Sequence, residues 1–216
     1  MGFTNSAGSR RMPAAAVLGV VLGAAPVSAR TIVDQWAAIR PPPPPVLQTV
    51  TVDPPTTALL VLDLVKQTCN LAVRPRCLAT LPKVAELLKA ARASKVLVIY
   101  SVIMANKGTE DVLPQVAPLG SEPVVKGGPD KFLGTDLDQV LKSHGITTVI
   151  PVGTAAEGAV LYTASHAALV GYKVLLPVDG MSAALPYAEQ YVTWNMAHAP
   201  AVSLRVTLTS IDRMKF

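Results

Sequence analysis

The run Ala58 to Leu64, ALLVLDL, is apolar at every position but one. A strand with one wet face alternates apolar and polar residues, so a run without that alternation must be covered on both sides. Val96 to Ser101 (VLVIYS), Thr147 to Val152 (TTVIPV), Lys173 to Val178 (KVLLPV) and Leu204 to Thr209 (LRVTLT) also read as strands, most of them too continuously apolar to have a wet face. Between them Val84, Leu87, Leu88 and Ala91 keep helical spacing, as do Leu137, Val140 and Leu141, and Thr135 with Asp138 three residues later is a helix-start signal. Strand and helix in alternation, with doubly buried strands, predict an α/β fold with a parallel sheet between two helical layers. Pro151 is awkward in a central strand, because it lacks a ladder donor. Tyr187, Tyr191, Trp194 and His198 fall along one helical face and read as core or subunit contact, while His166 reads as packing or surface.

The first residues read differently. Arg10 and Arg11, the apolar run Ala14 to Ala25 and the small residues Val27-Ser28-Ala29 predict a secretory signal peptide over 1–29. A membrane anchor is the competing reading, for which the run is short. Removal of this segment takes away two arginines and no acids, so the formal charge falls from +5 to +3. With no Lys/Arg cluster interleaved with aromatics, that charge does not point to nucleic acid. Residues 30–56 form an N-terminal arm, with a short helix over Arg30 to Ile39 and then five consecutive prolines, Pro41 to Pro45, as a stiff extended spacer. The folded domain is expected over 57–216. The chain's two cysteines, Cys69 and Cys77, lie eight apart, and in an exported protein that spacing favours a local disulfide. Localisation is accordingly expected to be periplasmic or secreted, with no membrane contact after signal cleavage.

In parallel α/β sheets the ligand crevice opens at the carboxyl ends of the strands, and three features fall there. Asp63 ends the first buried run, where a carboxylate is costly unless partnered. Lys126 follows Val124-Val125 and precedes Gly127-Gly128. The stretch Gly153 to Val160, GTAAEGAV, links a buried strand to a helix, and backbone N–H groups at such a turn can hold an anion or oxyanion.

Taken together, LLVLDL, VVKGGPDKFLGTDL and VIPVGTAAEGAVLYTASHAALVGYKVLLPVDGMSA resemble the isochorismatase-like hydrolases, the superfamily that also holds cysteine hydrolases, over roughly Thr57 to Val206. The resemblance implies a three-layer α/β/α Rossmann-like fold with six mainly parallel strands. It further implies a triad of aspartate, lysine and cysteine. Asp63 takes the aspartate position and Lys126, six residues before Phe132, the lysine position. The cysteine position falls on Ala159, which cannot serve as a nucleophile. Ala155, Ala156, Glu157, Gly158 and Ala159 would then form a substrate or oxyanion pocket. No cofactor is implied. No metal is expected either, since the first histidine is His144 and the histidines of the nicotinamidase metal site have no counterparts. Members of this superfamily commonly associate, so a homo-oligomer is expected.

Two functions stay open. One is an exported hydrolase of a small, anionic metabolite, working by Asp63 and Lys126 acid–base chemistry without a thiol. The other is a catalytically silent member that binds a small molecule or serves as an oligomeric interaction protein.

Overall fold

The computed structural model describes residues 1–2 and 30–216, so all but the first two residues of the signal peptide expected over 1–29 lie outside the described residues. The chain divides into two compact units, Met1–Pro42 and Pro43–Phe216. In the first, helix α1 (Ile32–Gln35) continues into a single 3-10 turn, Trp36–Ala38. Asp34 starts the helix by accepting from both the backbone N–H and the hydroxyl of Thr31, at 2.8 and 2.9 Å.

The second unit runs β1 (Val50–Thr51), β2 (Thr57–Leu62), α2 (Pro75–Ala93), β3 (Leu97–Ile103), β4 (Val124–Gly127), α3 (Leu137–Ser143), β5 (Thr148–Thr154), α4 (Leu161–Leu169), β6 (Lys173–Pro177), β7 (Met181–Ser182), α5 (Pro186–His198), β8 (Val206–Thr209) and β9 (Met214–Lys215). Its main sheet has the order β4-β3-β2-β5-β6-β8, parallel throughout, and the short β7 adds a seventh strand against the end of β5. The expected α/β/α sheet is therefore present, with one strand more than six.

The unbroken apolar runs divide their side chains between two cores. Ala58, Leu60 and Leu62 of β2 pack with α3, α4 and α5, whereas Leu59 and Val61 pack with Leu81, Val84, Leu87, Leu88 and Ala91 of α2. The strand's period of two thus feeds both faces, and each face needs its own helical cover. Pro151 lies inside β5 opposite Leu60 of β2. On its other side β5 pairs with β6 only as far as Val149 and next with β7 at Gly153. The proline sits in that gap in the pairing.

Three expectations change. The compact unit begins at Pro43 rather than Thr57, because β1 pairs with β9 at the chain's end and Gln48 donates to the Leu208 carbonyl at 2.9 Å. The N-cap of α3 is Asp136 rather than Thr135, whose hydroxyl still accepts from the Leu137 N–H at 3.2 Å at the helix start while donating to the Lys131 carbonyl. Tyr187, Tyr191 and Trp194 are not core residues. They are exposed, the last stacked on His198.

Candidate active site

The chain builds β2, β3 and β4 outward to one edge and then crosses back to lay β5, β6 and β8 on the other side of β2. The strand order reverses between β2 and β5, which is where a parallel sheet leaves a crevice at its carboxyl end. Asp63 stands just past the end of β2, and Thr154 and Ala155 stand at the end of β5. A cavity of about 380 Å³ opens there, walled by Asp63, Thr68, Arg74, Met104, Gly128 and Ala159 among others. The close approach of β5 to β2 requires glycine at position 153. Its φ is +130°, and a Cβ would lie 2.0 Å from the Leu62 carbonyl oxygen.

Asp63 is buried and takes a left-handed backbone conformation, φ 50°. This turns the chain out of the strand. Its carboxylate accepts from Ser101 Oγ at 2.7 Å and pairs with Lys131 Nζ at 2.8 Å, and the lysine is itself fully buried. Burial pushes the Asp63 carboxyl above its ordinary value, against the downward pull of Lys131, Ser101 and Arg74. The result is a carboxyl that holds a proton more readily than an exposed one, next to a cation that stabilises it once the proton leaves.

The lysine beside Asp63 is thus Lys131, not Lys126. Lys126 lies on the edge strand β4, where burial alternates, and it is exposed between the buried Val125 and Gly127. Its Nζ donates to the Asn106 carbonyl at 2.6 Å. Lys131 follows a Gly-Gly-Pro turn that folds back under the sheet's end, so its ammonium reaches both Asp63 and the Gly127 carbonyl. That turn is pinned to α4. The Lys131 N–H donates to Thr163 Oγ1 at 3.2 Å, His166 pairs with Asp130 at 2.8 Å, and the His166 ring stacks on Phe132 at 4.7 Å. In the structure the alternation of β4 separates the two lysines, since it leaves Lys126 on the wetter face of the strand.

The GTAAEGAV stretch enters α4 through a wide π turn, Ala156–Val160. Ala155, Gly158 and Ala159 line the cavity as expected. Ala156 does not; it is fully buried in the core. Glu157 is not among the lining residues either, and one of its carboxylate oxygens is sealed from solvent without a hydrogen-bond partner. The π turn changes which side chains face the crevice. The cavity wall therefore offers the Ala159 methyl group and no carboxylate from this turn.

Cys69 and Cys77 are joined, with Cα atoms 5.4 Å apart, so neither cysteine of the chain is free. The bridge ties down the loop that carries Thr68 and Arg74 over the cavity. Thr68 Oγ1 donates to the Asp63 carbonyl, and Arg74 Nη1 donates to the Thr68 carbonyl at 3.2 Å. Ser101, Thr68 and Arg74 are not legible as site residues, because Ser101 lies 38 residues from Asp63 and the loop carrying Thr68 and Arg74 has no periodicity that says which side chains turn back to it. Among the described residues no three His, Cys, Asp or Glu side chains converge as a metal would require.

Residues 57–207 match the isochorismatase domain model. The chain is similar to N-carbamoylsarcosine amidase from Arthrobacter sp., 29% identical over 54% of this chain and 53% of that one; it spans about half the length of that curated relative. Among solved structures it resembles a cysteine hydrolase from Pseudomonas syringae pv. phaseolicola 1448A, with TM-score 0.66, 22% identity and coverage of 78% of this chain and 97% of that one. An isochorismatase family protein from Desulfovibrio vulgaris gives TM-score 0.65 and 22% identity over 73% and 95%. These structural likenesses concern the fold.

Proposed function

The chain belongs to the isochorismatase family, and from that premise we propose that it is an exported hydrolase of a small anionic metabolite that works without a cysteine nucleophile. The observation that carries this reading is the buried Asp63–Lys131 pair on the wall of an open cavity whose neighbouring wall is Ala159. Tyr162 and Met181, the bulky side chains closest in sequence to the crevice turns, do not fill it: one is exposed, the other buried in the core.

In the proposed reaction the protonated Asp63 gives its proton either to an enol-ether carbon or to the leaving heteroatom of the tetrahedral adduct that water forms with an amide or ester, as its C–N or C–O bond breaks. At the enol ether the C=C π bond breaks to leave an oxocarbenium, which takes up water and collapses as a hemiketal, its hydroxyl proton passing to the departing oxygen as the C–O bond breaks. Lys131 and Ser101 hold the carboxylate that results. Water adds its oxygen to the carbon, and its proton returns to Asp63, so the carboxyl is regenerated. The raised Asp63 has the proton on hand before the first transfer and favours its return in the second, and the fixed cation favours the first by stabilising the carboxylate. The similarity to an amidase of the N-carbamoyl class supports amides as one substrate class to try.

Export is supported by the closed Cys69–Cys77 bridge, since such bonds persist in oxidising compartments. A homo-oligomer is supported by the exposed apolar side chains Leu133, Tyr162, Leu169 and Val170 along one groove.

The test is a screen of amides, vinyl ethers and esters of small acids against the mature protein and Asp63→Asn. Turnover that disappears in the variant is the expected result. Turnover untouched by Asp63→Asn overturns the mechanism, and no turnover of any substrate favours the silent binding protein. Ala159→Cys gives a complementary measurement, with gain of amidase activity expected if the cavity still supports acyl chemistry.

A further inference from the structure

Three arginines belong to α2, Arg74 at its N-cap and Arg76 and Arg92 within it, and two of them do the same thing. Arg76 grips Glu189 with Nε at 2.8 Å and Nη2 at 2.5 Å. Arg92 grips Glu122 with Nε at 2.8 Å and Nη2 at 2.7 Å. Both use the Nε–Nη2 edge, the side of the guanidinium whose two parallel N–H groups match a carboxylate. Arg74 keeps that edge unused by the protein. Its one hydrogen bond runs from Nη1 to the Thr68 carbonyl, and no carboxylate lies within ion-pair distance among the described residues. Its Nε is sealed from solvent and has no partner.

An unpaired buried donor is costly, the more so on a charged group, and native proteins rarely leave one. Arg74 is also not placed by accident. The disulfide brackets it, with Cys69 before it and Cys77 after it. Its own N–H donates to the Asn70 carbonyl at 2.9 Å, its carbonyl accepts from the Cys77 N–H at 3.0 Å, and Asn70 Oδ1 accepts from Ala72 and Val73. Through Thr68 the guanidinium is tied to the backbone of Asp63. The loop therefore holds a cation rigidly on the wall of the same cavity.

The charges of the cavity point the same way. Among the described residues Asp63 and Arg74 are its only charged lining residues, and the Asp63 charge is met by Lys131 from behind. Glu157 is not among the lining residues. The remaining charge is that of Arg74, which attracts an anion.

We propose that Arg74 determines specificity by binding a carboxylate of the substrate through the guanidinium N–H groups that face the cavity, so that the cavity takes small carboxylic acids whose scissile bond lies toward Asp63. This deepens the hydrolase reading and rests on it only for the scissile bond. A rigid fork preset for two hydrogen bonds loses little freedom on binding, which favours recognition of a small ligand.

The test is calorimetric titration of the oxidised protein with malonate, and with malonamide as its uncharged counterpart. It is repeated on Arg74→Gln, Arg74→Lys and Asp63→Asn, each checked for an unchanged circular dichroism spectrum. Malonate is expected to bind the wild type and Asp63→Asn, and to bind Arg74→Gln about tenfold or more weakly, the scale of a lost charge-assisted pair. Arg74→Lys, which keeps the charge but not the fork, is expected to fall between, and malonamide binding is expected not to respond to Arg74. Equal malonate affinity in wild type and Arg74→Gln, or no saturable malonate binding by the wild type, overturns the assignment. Malonate binding that depends on Arg74 in a protein that turns over no substrate keeps Arg74 and removes the hydrolase. Turnover of neutral amides with no malonate binding does the reverse.

Discussion

Two cavities of nearly equal size open on the second unit, one of about 380 Å³ at Asp63 and one of about 370 Å³ lined by Arg76, Lys83, Asp179 and Glu189. Both contain acids and bases in contact. In the second the pairs are wet: the Lys83 side chain is 56% exposed and Arg76 44%. Each charge there has its opposite at hand and water around it, which leaves little reason for a substrate to enter the arrangement. In the first, Lys131 is 0% and Asp63 5% exposed, and Arg74 has no acid of its own. Burial and an unmatched cation, rather than the presence of charged residues, separate a candidate active site from a surface ion-pair cluster.

This contrast can be broken most directly at Asp63. Asp63→Asn keeps shape and removes the titrating proton, and turnover in a steady-state assay is expected to fall by about 10²- to 10⁴-fold, the usual weight of a general acid–base group. Lys83→Met in the other cavity is expected to leave the rate unchanged; a comparable loss there would abolish the distinction.

Stability offers the next measure. Lys131→Met strands a buried carboxylate and is expected to cost about 3–5 kcal/mol in denaturant unfolding at neutral pH, less where Asp63 can take up a proton instead. Opening the Cys69–Cys77 bridge by Cys→Ser at both positions is expected to cost about 2–3 kcal/mol, from the freedom regained by a short loop in the unfolded chain. Lys83→Met, which breaks an exposed pair, is expected to cost no more than about 1 kcal/mol.

The pH dependence sharpens the contrast further. Burial raises the folded Asp63 carboxyl above its ordinary 3.8. Between the unfolded and folded values the folded chain binds the extra proton, so this group's contribution to stability is full below 3.8 and is lost as pH rises through the folded value. The difference in unfolding free energy between wild type and Asp63→Asn is therefore expected to slope downward with pH across that window. A flat difference would show that Asp63 titrates as an ordinary exposed acid.

Much of this architecture is legible in the chain. The runs at β2, β3, β5 and β6 have no polar face, so they announce doubly covered strands, and observed ends differ from expected ones by a residue or two. Strand β4 is not legible, because four residues at a sheet edge, half exposed, make too short a pattern to stand out from a loop. The same shortness hides the correct lysine. Ala156 and Glu157 are expected at the pocket from the resemblance of the whole GTAAEGAV stretch, and the π turn over Ala156–Val160 leaves both out of the cavity lining.

The sequence by itself determined that a carboxylate would end a buried strand and would need a partner, and that the strand-to-helix turn would carry methyl groups and glycine rather than a thiol. Those are consequences of hydrophobic burial and of residue identity, which act locally. Which cation meets Asp63, and which arginine is left with an open edge, were decided only by the tertiary structure. Lys126 and Lys131 stand five residues apart on either side of a Gly-Gly-Pro turn, chemically identical. Only the docking of that turn against Thr163 and His166 of α4 sends one ammonium into the core and leaves the other in water.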